Sequence, residues 1–306
     1  MHHRQAPGFV EPMLLTTGRE LPNGADWWAE LKLDGARGQL RVIDGAPTLR
    51  TRRGRCCDPE FPEIVAAGAG LPDVILDGEI VVLGDDGAPD FAALRARLGA
   101  RPVRARAAAT MRPAVFFAFD VIWHQGKDLR GLRLVDRRRI LRALPLSGAL
   151  ALVESHPGQA ATVLAFAREH FLEGVVVKRA GSLYRSGRST AWQKFKIRHP
   201  ERVWITAWIP GEPGELDRYW VGREVRGTLV PSGEVSYGLT PGQASTLRRV
   251  LHAADLGSRG GHGLRPVAPV VAMTVAGHGR RSGWLRDPVI TAVHLDPSGP
   301  EADPEP

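Results

Sequence analysis

Through the first two-thirds of the chain, short apolar-rich runs bounded by turn residues predict strands. Segments 39–43 and 47–51 read as two strands joined by Asp44-Gly45, a dipeptide suited to a tight hairpin turn. Segment 73–83 reads as strand, tight turn, strand. Asp90 is placed to cap a short helix over 91–98. Residues 99–113 are basic and Ala-rich and read as a loop or frayed helix. A buried strand follows over 114–123. Segments 134–144 and 159–171 carry apolar residues at helical spacing, and 173–179 and 192–198 read as strands again. Strands and helices without regular βαβ alternation predict an α+β domain.

After His199-Pro200 the texture changes. Residues 201–295 contain no lysine and show short β-like runs over 203–209, 218–221, 234–239, 270–275 and 289–295. Gly/Pro turns separate them, and one helical segment, 243–254, interrupts them. That pattern predicts a small all-β barrel of OB type with an inserted helix. The expected organisation is a first domain over 1–199 with an irregular leader at 1–25, an OB domain over 200–296, and a disordered Pro- and acid-rich tail over 297–306.

Composition narrows the function. The 306 residues are 43% hydrophobic and 24% charged, which excludes disorder as the main state. No apolar run approaches the ~18 residues of a membrane span, so no membrane partner is expected. The start lacks a secretion signal. Cys56 and Cys57 are adjacent and poorly placed for a structural disulfide or a zinc site. The expected location is the cytoplasm, in association with the nucleoid. The net charge is +8, and the last thirteen residues hold four acids and no Lys or Arg, so residues 1–293 carry +12. A basic body predicts a polyanionic partner, nucleic acid first.

Of the 41 basic residues only five are lysines: Lys32, Lys127, Lys178, Lys194 and Lys196. Arginine stays protonated at any usable pH, whereas lysine can act as a nucleophile. Lys32 stands between Glu30 and Asp34, followed by Gly35. Period-two alternation would put all three charges on one face. On that spacing alone, a surface salt-bridge ladder is the better reading. The alternative is an activated amine beside a carboxylate that holds a metal. Glu79 is an acid in an apolar stretch, and Glu173 and Lys178 bracket a Val triplet. Lys194 and Lys196 would share a face while Trp192 and Phe195 anchor the strand. Two like charges on one face call for a bridging anion, which points to a phosphate site.

In this order the motifs resemble those of the covalent nucleotidyltransferases, specifically the ATP-dependent DNA ligases of the compact bacterial ligase C and ligase D type. Lys32, Asp34, Gly35 and Arg37 match that family's K-x-D-G-x-R motif. Arg52 matches the arginine of the next strand. Asp77, Gly78 and Glu79 match D-G-E, and Phe119 and Asp120 match the F-D strand. Glu173 and Lys178 match E-G-V-V-x-K, and Trp192, Lys194 and Lys196 match W-x-K-x-K. The resemblance implies an adenylation domain followed by an OB domain, and a ligase that seals nicks in duplex DNA through AMP carried on Lys32. It implies Lys32, Lys194 and Lys196 as catalytic residues. Glu30, Leu31, Lys32, Arg37, Arg52, Glu79, Phe119, Lys178, Lys194 and Lys196 would hold ATP. Asp34 and Glu173 would hold Mg²⁺ or Mn²⁺. Glu79 would accept from the ribose hydroxyls and Phe119 would stack on adenine. The expected partner is nicked duplex DNA, bound by a monomer, with other repair proteins as further partners.

The resemblance breaks at the end of the OB domain. There the family's motif Arg falls on His294 and its Lys on Pro297, with Arg280, Arg281 or Arg286 as candidate substitutes. This leaves a second reading: a nick-binding protein, or a sealer of pre-adenylated nicks, with weak self-adenylation. A capping-type guanylyltransferase or an RNA ligase fits the motifs less closely. No additional DNA-binding, polymerase or nuclease segment is recognisable, so a minimal stand-alone enzyme is expected.

Overall fold

The computed structural model describes residues 6–85, 87–212, 214–257, 263–278, 284–296 and 299–300, and the backbone of 280–281. The chain divides into two compact units, residues 1–197 and 198–306.

Two sheets build the first unit. One has the strand order Met13–Thr17, Gly187–Lys196, Gly174–Arg179, Trp27–Leu31, His156–Pro157. The other runs Ala46–Thr51, Ala36–Ile43, Val74–Val82, Ala114–His124, Lys127–Asp128, with Leu150–Leu152 added in parallel to Ala114–His124. Helix Ala160–Glu169 covers one face of the first sheet, where Ala29, Val175, Val177 and Phe195 meet Val163 and Ala167. Leu40, Leu49, Phe61, Ile64, Leu76 and Phe116 form the core on one face of the second sheet. A third apolar cluster draws Met13 and Trp192 from the first sheet, and Ile75, Phe119 and Ile122 from the second. It packs the two sheets together.

Local chemistry explains several elements. Asp44 and Gly45 have φ of 52° and 70°, the left-handed pair that a two-residue hairpin turn requires. The Asp90 side chain accepts from the Ala93 amide at 2.9 Å and caps Phe91–Arg97. Three expectations are corrected. Segment 73–83 is one continuous strand, Val74–Val82, with no turn at its centre. Gly78 is there for close packing, since a Cβ would lie 2.5 Å from Phe116 and 2.7 Å from the Phe117 carbonyl oxygen. The basic stretch contains a full helix, Pro102–Met111, started by proline in its first turn and rich in alanine. The leader contains strand Met13–Thr17, whose partner strand lies more than 170 residues away.

In the second unit the strand order is Thr228–Val235, Arg218–Val225, His199–Ile209, Val271–Gly277, Val289–Leu295. The Ile290 amide donates to the Tyr237 carbonyl at 2.7 Å, just past the first of these strands, which closes the sheet into a barrel. Val203, Ile205, Trp208, Val221, Met273 and Val275 fill it. Thr240 and Gln243 form a reciprocal cap for helix Pro241–Ala253, which delivers Leu247 and Leu251 to the core. The architecture is an α+β domain followed by an all-β barrel of OB type. Residues 1–5 of the leader and all of the tail except 299–300 lie outside the described residues.

Candidate functional site

Lys32 sits where the chain leaves one sheet of the first unit for the other. Strand Trp27–Leu31 ends just before it, and the next begins at Ala36. Residues 32–35 therefore form a connection, and the expected strand alternation of Glu30, Lys32 and Asp34 does not occur. The Lys32 amide is fixed by the Gly174 carbonyl at 2.9 Å. Gly35 is required by contact, since a Cβ there would stand 2.4 Å from the Ile80 carbonyl oxygen.

Two cavities meet at Lys32. The inner one is lined by Leu15, Glu30, Leu31, Lys32, Leu33, Arg37, Glu79, Phe119, Val153, Val176, Lys178 and Trp192. At its polar end Lys178 Nζ lies 2.6 Å from Glu30 Oε2, and Ser155 donates to Glu30 Oε1 at 2.7 Å. The same ammonium lies 4.3 Å from the ring centre of Phe119 and 4.4 Å from that of Trp192. Burial lowers the Lys178 pKa, with Glu30 opposing. The outer cavity is lined by Leu14, Leu15, Lys32, Gly35, Arg37, Arg52, Glu79, Arg188, Lys194 and Lys196. Six cations there face one acid. Such a surface is built for a polyanion.

Glu173 holds Lys32 and Lys196 together. Its Oε2 lies 2.6 Å from Lys32 Nζ and its Oε1 lies 3.0 Å from Lys196 Nζ. Burial resists its ionisation, but Lys32 and Lys196 outweigh burial and hold the carboxyl below its ordinary range. Lys194 is pushed down, first by burial and then by Lys196, Lys32 and Arg188. Glu79 is pushed up to about 7 by burial, against the pull of Arg37 and Lys32. Arg37 donates to both oxygens of Asp77 and lies 4.4 Å from the ring centre of Phe119. Phe119 therefore already has two cations at its ring.

The structure thus brings together Glu30, Leu31, Lys32, Arg37, Arg52, Glu79, Phe119, Lys178, Lys194 and Lys196, with Glu173 against two of them. Asp34 lines neither cavity. No group of three His, Cys, Asp or Glu residues suited to a metal occurs among the described residues. Asp120 turns out to be a packing acid: Arg137 donates to both its oxygens at 2.8 Å, with both side chains fully buried. Trp192 shares the face of Lys194 and Lys196, while Phe195 packs on the opposite one. Arg188 and Ser155 were not expected. Arg188 stands at even spacing from Lys194 and Lys196 on one strand, and that spacing was its only sequence signal. Ser155 had none.

In the second unit His294 Nε2 lies 3.0 Å from Thr274 Oγ1. Pro297 and the side chains of Arg280 and Arg281 lie outside the described residues. Arg286 accepts from the His278 amide through its carbonyl at 3.0 Å. No helix among the described residues is long and apolar enough to cross a membrane.

Comparison with known proteins gives one consistent result. The family described as "ATP dependent DNA ligase domain" matches residues 13–196. The multifunctional non-homologous end joining DNA repair protein LigD of Mycobacterium tuberculosis is 35% identical over 249 residues, covering 79% of this chain. The match spans only 31% of that protein's length. The SPbeta prophage-derived DNA ligase-like protein LigB of Bacillus subtilis is 33% identical over 189 residues, 61% of this chain and 67% of its own. The solved structure of mycobacterial DNA ligase D complexed with ATP and MES covers 95% of this chain and 97% of its own, at 29% identity and a TM-score of 0.56.

Proposed function

The chain belongs to the ATP-dependent DNA ligase family, and on that premise we propose that it seals nicks in duplex DNA through AMP carried on Lys32. The observation that carries this reading is the position of Lys32 at the junction of a largely apolar cavity with a polar end and a cationic, phosphate-suited one. In the first step Lys32 Nζ attacks the ATP α-phosphorus, a P–N bond forms, a proton leaves the amine and pyrophosphate departs. The amine must first part from Glu173. The AMP then passes to the 5′-phosphate of the nick. Finally the 3′-hydroxyl attacks that phosphate and AMP leaves. Negative charge gathers on phosphorus in each step, and Lys194 and Lys196 are placed to stabilise it.

Glu30 and Lys178 fit the base end of the inner cavity, and Phe119 supplies an aromatic surface. Glu79 faces both cavities and suits the ribose between them. Arg37, Arg52 and Arg188 suit the nucleotide or nick phosphates. Glu173 and Asp34 are the carboxylates proposed for Mg²⁺ or Mn²⁺. Of the two, Glu173 stands at Lys32, and one or two carboxylates suit such an ion, which commonly completes its shell with substrate phosphate oxygens and water. Bound there, the ion would neutralise phosphate charge.

The similarity to LigD supports a role in DNA end joining, with nicked duplex DNA as the partner and other repair proteins nearby. The test is sealing of a labelled nicked duplex with ATP and Mg²⁺, together with binding at rising salt. Affinity should fall steeply with salt because arginine–phosphate contacts release counterions. Sequence preference should be slight. An unsealed nick, or an affinity flat between low and moderate salt, would count against the reading.

A further inference from the structure

Both cavities share one guanidinium, that of Arg37. It is held by a closed ring of hydrogen bonds. Arg37 Nε donates to Asp77 Oδ1 and Nη2 donates to Asp77 Oδ2, each at 2.6 Å. Nη2 also donates to the Met13 carbonyl at 3.1 Å. The Met13 amide donates to the Tyr184 hydroxyl at 3.1 Å. That hydroxyl in turn donates to Asp77 Oδ2 at 2.6 Å. Four separate pieces of chain are joined, and Met13 and Tyr184 are 171 residues apart. Met13, Asp77 and Tyr184 are each at least 96% buried.

Packing fixes the phenol as well. Trp192 meets the Tyr184 ring edge-on at 6.0 Å, and the Arg137 guanidinium lies 5.7 Å from its centre. Burial, reinforced by Asp77, raises the Tyr184 pKa, so the hydroxyl stays protonated at any working pH. One oxygen thus accepts from the backbone of an edge strand and donates to the carboxylate that aims Arg37. The edge strand, Met13–Thr17, supplies Leu14 and Leu15 to the cavity walls and pairs with Gly187–Lys196 through an irregular register between Leu15 and Thr16.

From this geometry we infer that Tyr184 is a positioning residue for ATP: through Asp77 and the Met13 backbone, its hydroxyl aims Arg37 at the phosphates. The inference rests on the proposed place of Arg37 in the nucleotide site, and the test separates the two.

The measurement is KM for ATP in self-adenylation, alongside the maximal rate, for Tyr184→Phe, Arg37→Lys and the double variant. KM does not depend on how much of a preparation is folded, so a loss of fold alone leaves it unmoved. Tyr184→Phe should raise KM about 10-fold, the scale of one hydrogen bond to a charged group, and change the maximal rate by less than about 3-fold. Arg37→Lys should raise KM more, because lysine cannot replace a bidentate guanidinium. The double variant should match Arg37→Lys alone, since the two side chains act as one unit. Asp77→Asn provides a second route if Tyr184→Phe folds poorly; it should raise KM and be equally silent in the Arg37→Lys background. An unchanged KM in the folded variants, or effects that multiply in the double variant, would overturn the inference. An unchanged KM in Arg37→Lys would remove the nucleotide role of Arg37, and the inference with it.

Discussion

The two units bury different things. Of fourteen buried polar side chains among the described residues, twelve lie in the first unit and only Asp217 and Ser232 in the second. The barrel core is otherwise apolar. Its buried carboxylate, Asp217, serves packing: Arg248 of helix Pro241–Ala253 donates to both its oxygens, and Tyr219 donates at 3.0 Å. In the first unit, burial instead assembles Glu30, Lys178, Glu173 and Asp77 around two cavities. A buried charge costs several kcal/mol unless it is paired, and apolar replacements are often no less stable. Some of the twelve serve packing beside the apolar core, as Asp120 and Arg137 do, but the charges gathered at the cavities have no counterpart among the described residues of the barrel, whose buried acid braces the fold.

This contrast is broken most directly at Glu173. Glu173→Ala leaves the Lys32 and Lys196 ammonium groups facing each other without their shared carboxylate. Nick sealing from ATP should fall on the order of 10³-fold, the upper range for losing one preorganised charge group. Thermal melting should move little, because the site is part-exposed at Lys32 and Lys196. A rate within tenfold of the parent would show that Glu173 is a packing acid like Asp217.

In the second unit the sequence singles out two positions, His294 and Pro297. If His294 and Pro297 replace two phosphate-orienting cations, the defect belongs to self-adenylation, whose leaving group is pyrophosphate. The protein should seal pre-adenylated nicks well and ordinary nicks slowly from ATP. His294→Arg with Pro297→Lys should speed the first step by about 10²-fold and leave the last unchanged. Equal rates on both substrates and no gain from the double substitution would place the barrel wholly on the scaffold side.

Glu79 sharpens the contrast through pH. Its folded pKa of about 7 lies above the ordinary 4.5, with burial as the main cause. The folded state therefore binds that proton more tightly than the unfolded state. The stability it contributes is fully present below about pH 4.5 and is lost as pH rises to about 7. After discounting for partial exposure, the loss is about 2 kcal/mol. Glu79→Gln should remove that slope from a series of melting curves. A slope unchanged by the substitution would mean that Glu79 is solvated and ordinary.

What was legible in the sequence follows the range of the interaction. The Asp44-Gly45 turn and the Asp90 cap depend on neighbours within three residues, and both are plain in the chain. Lys32, Lys178, Lys194 and Lys196 were legible because lysine is scarce among 36 arginines. Glycine was ambiguous: Gly78 satisfies a turn as readily as a strand, and the side chain of Phe116, across the sheet, decides between them. Helix Pro102–Met111 has no apolar stripe to betray it. Ser155 and Tyr184 act on partners 125 and 107 residues away, on Glu30 and Asp77, so no local pattern could show them. The period-two reading failed at Lys32 because this residue sits in the connection that crosses between sheets.

Lys32 is proposed to carry AMP, and mass analysis tests this directly. Purified protein incubated with ATP and Mg²⁺, then digested and analysed by mass, should show one peptide, containing Lys32, heavier by AMP. Lys32→Ala and Lys32→Arg should both lack the adduct, since a guanidinium gives up no proton at usable pH. An adduct on any other residue, or one that survives in Lys32→Arg, would contradict the account.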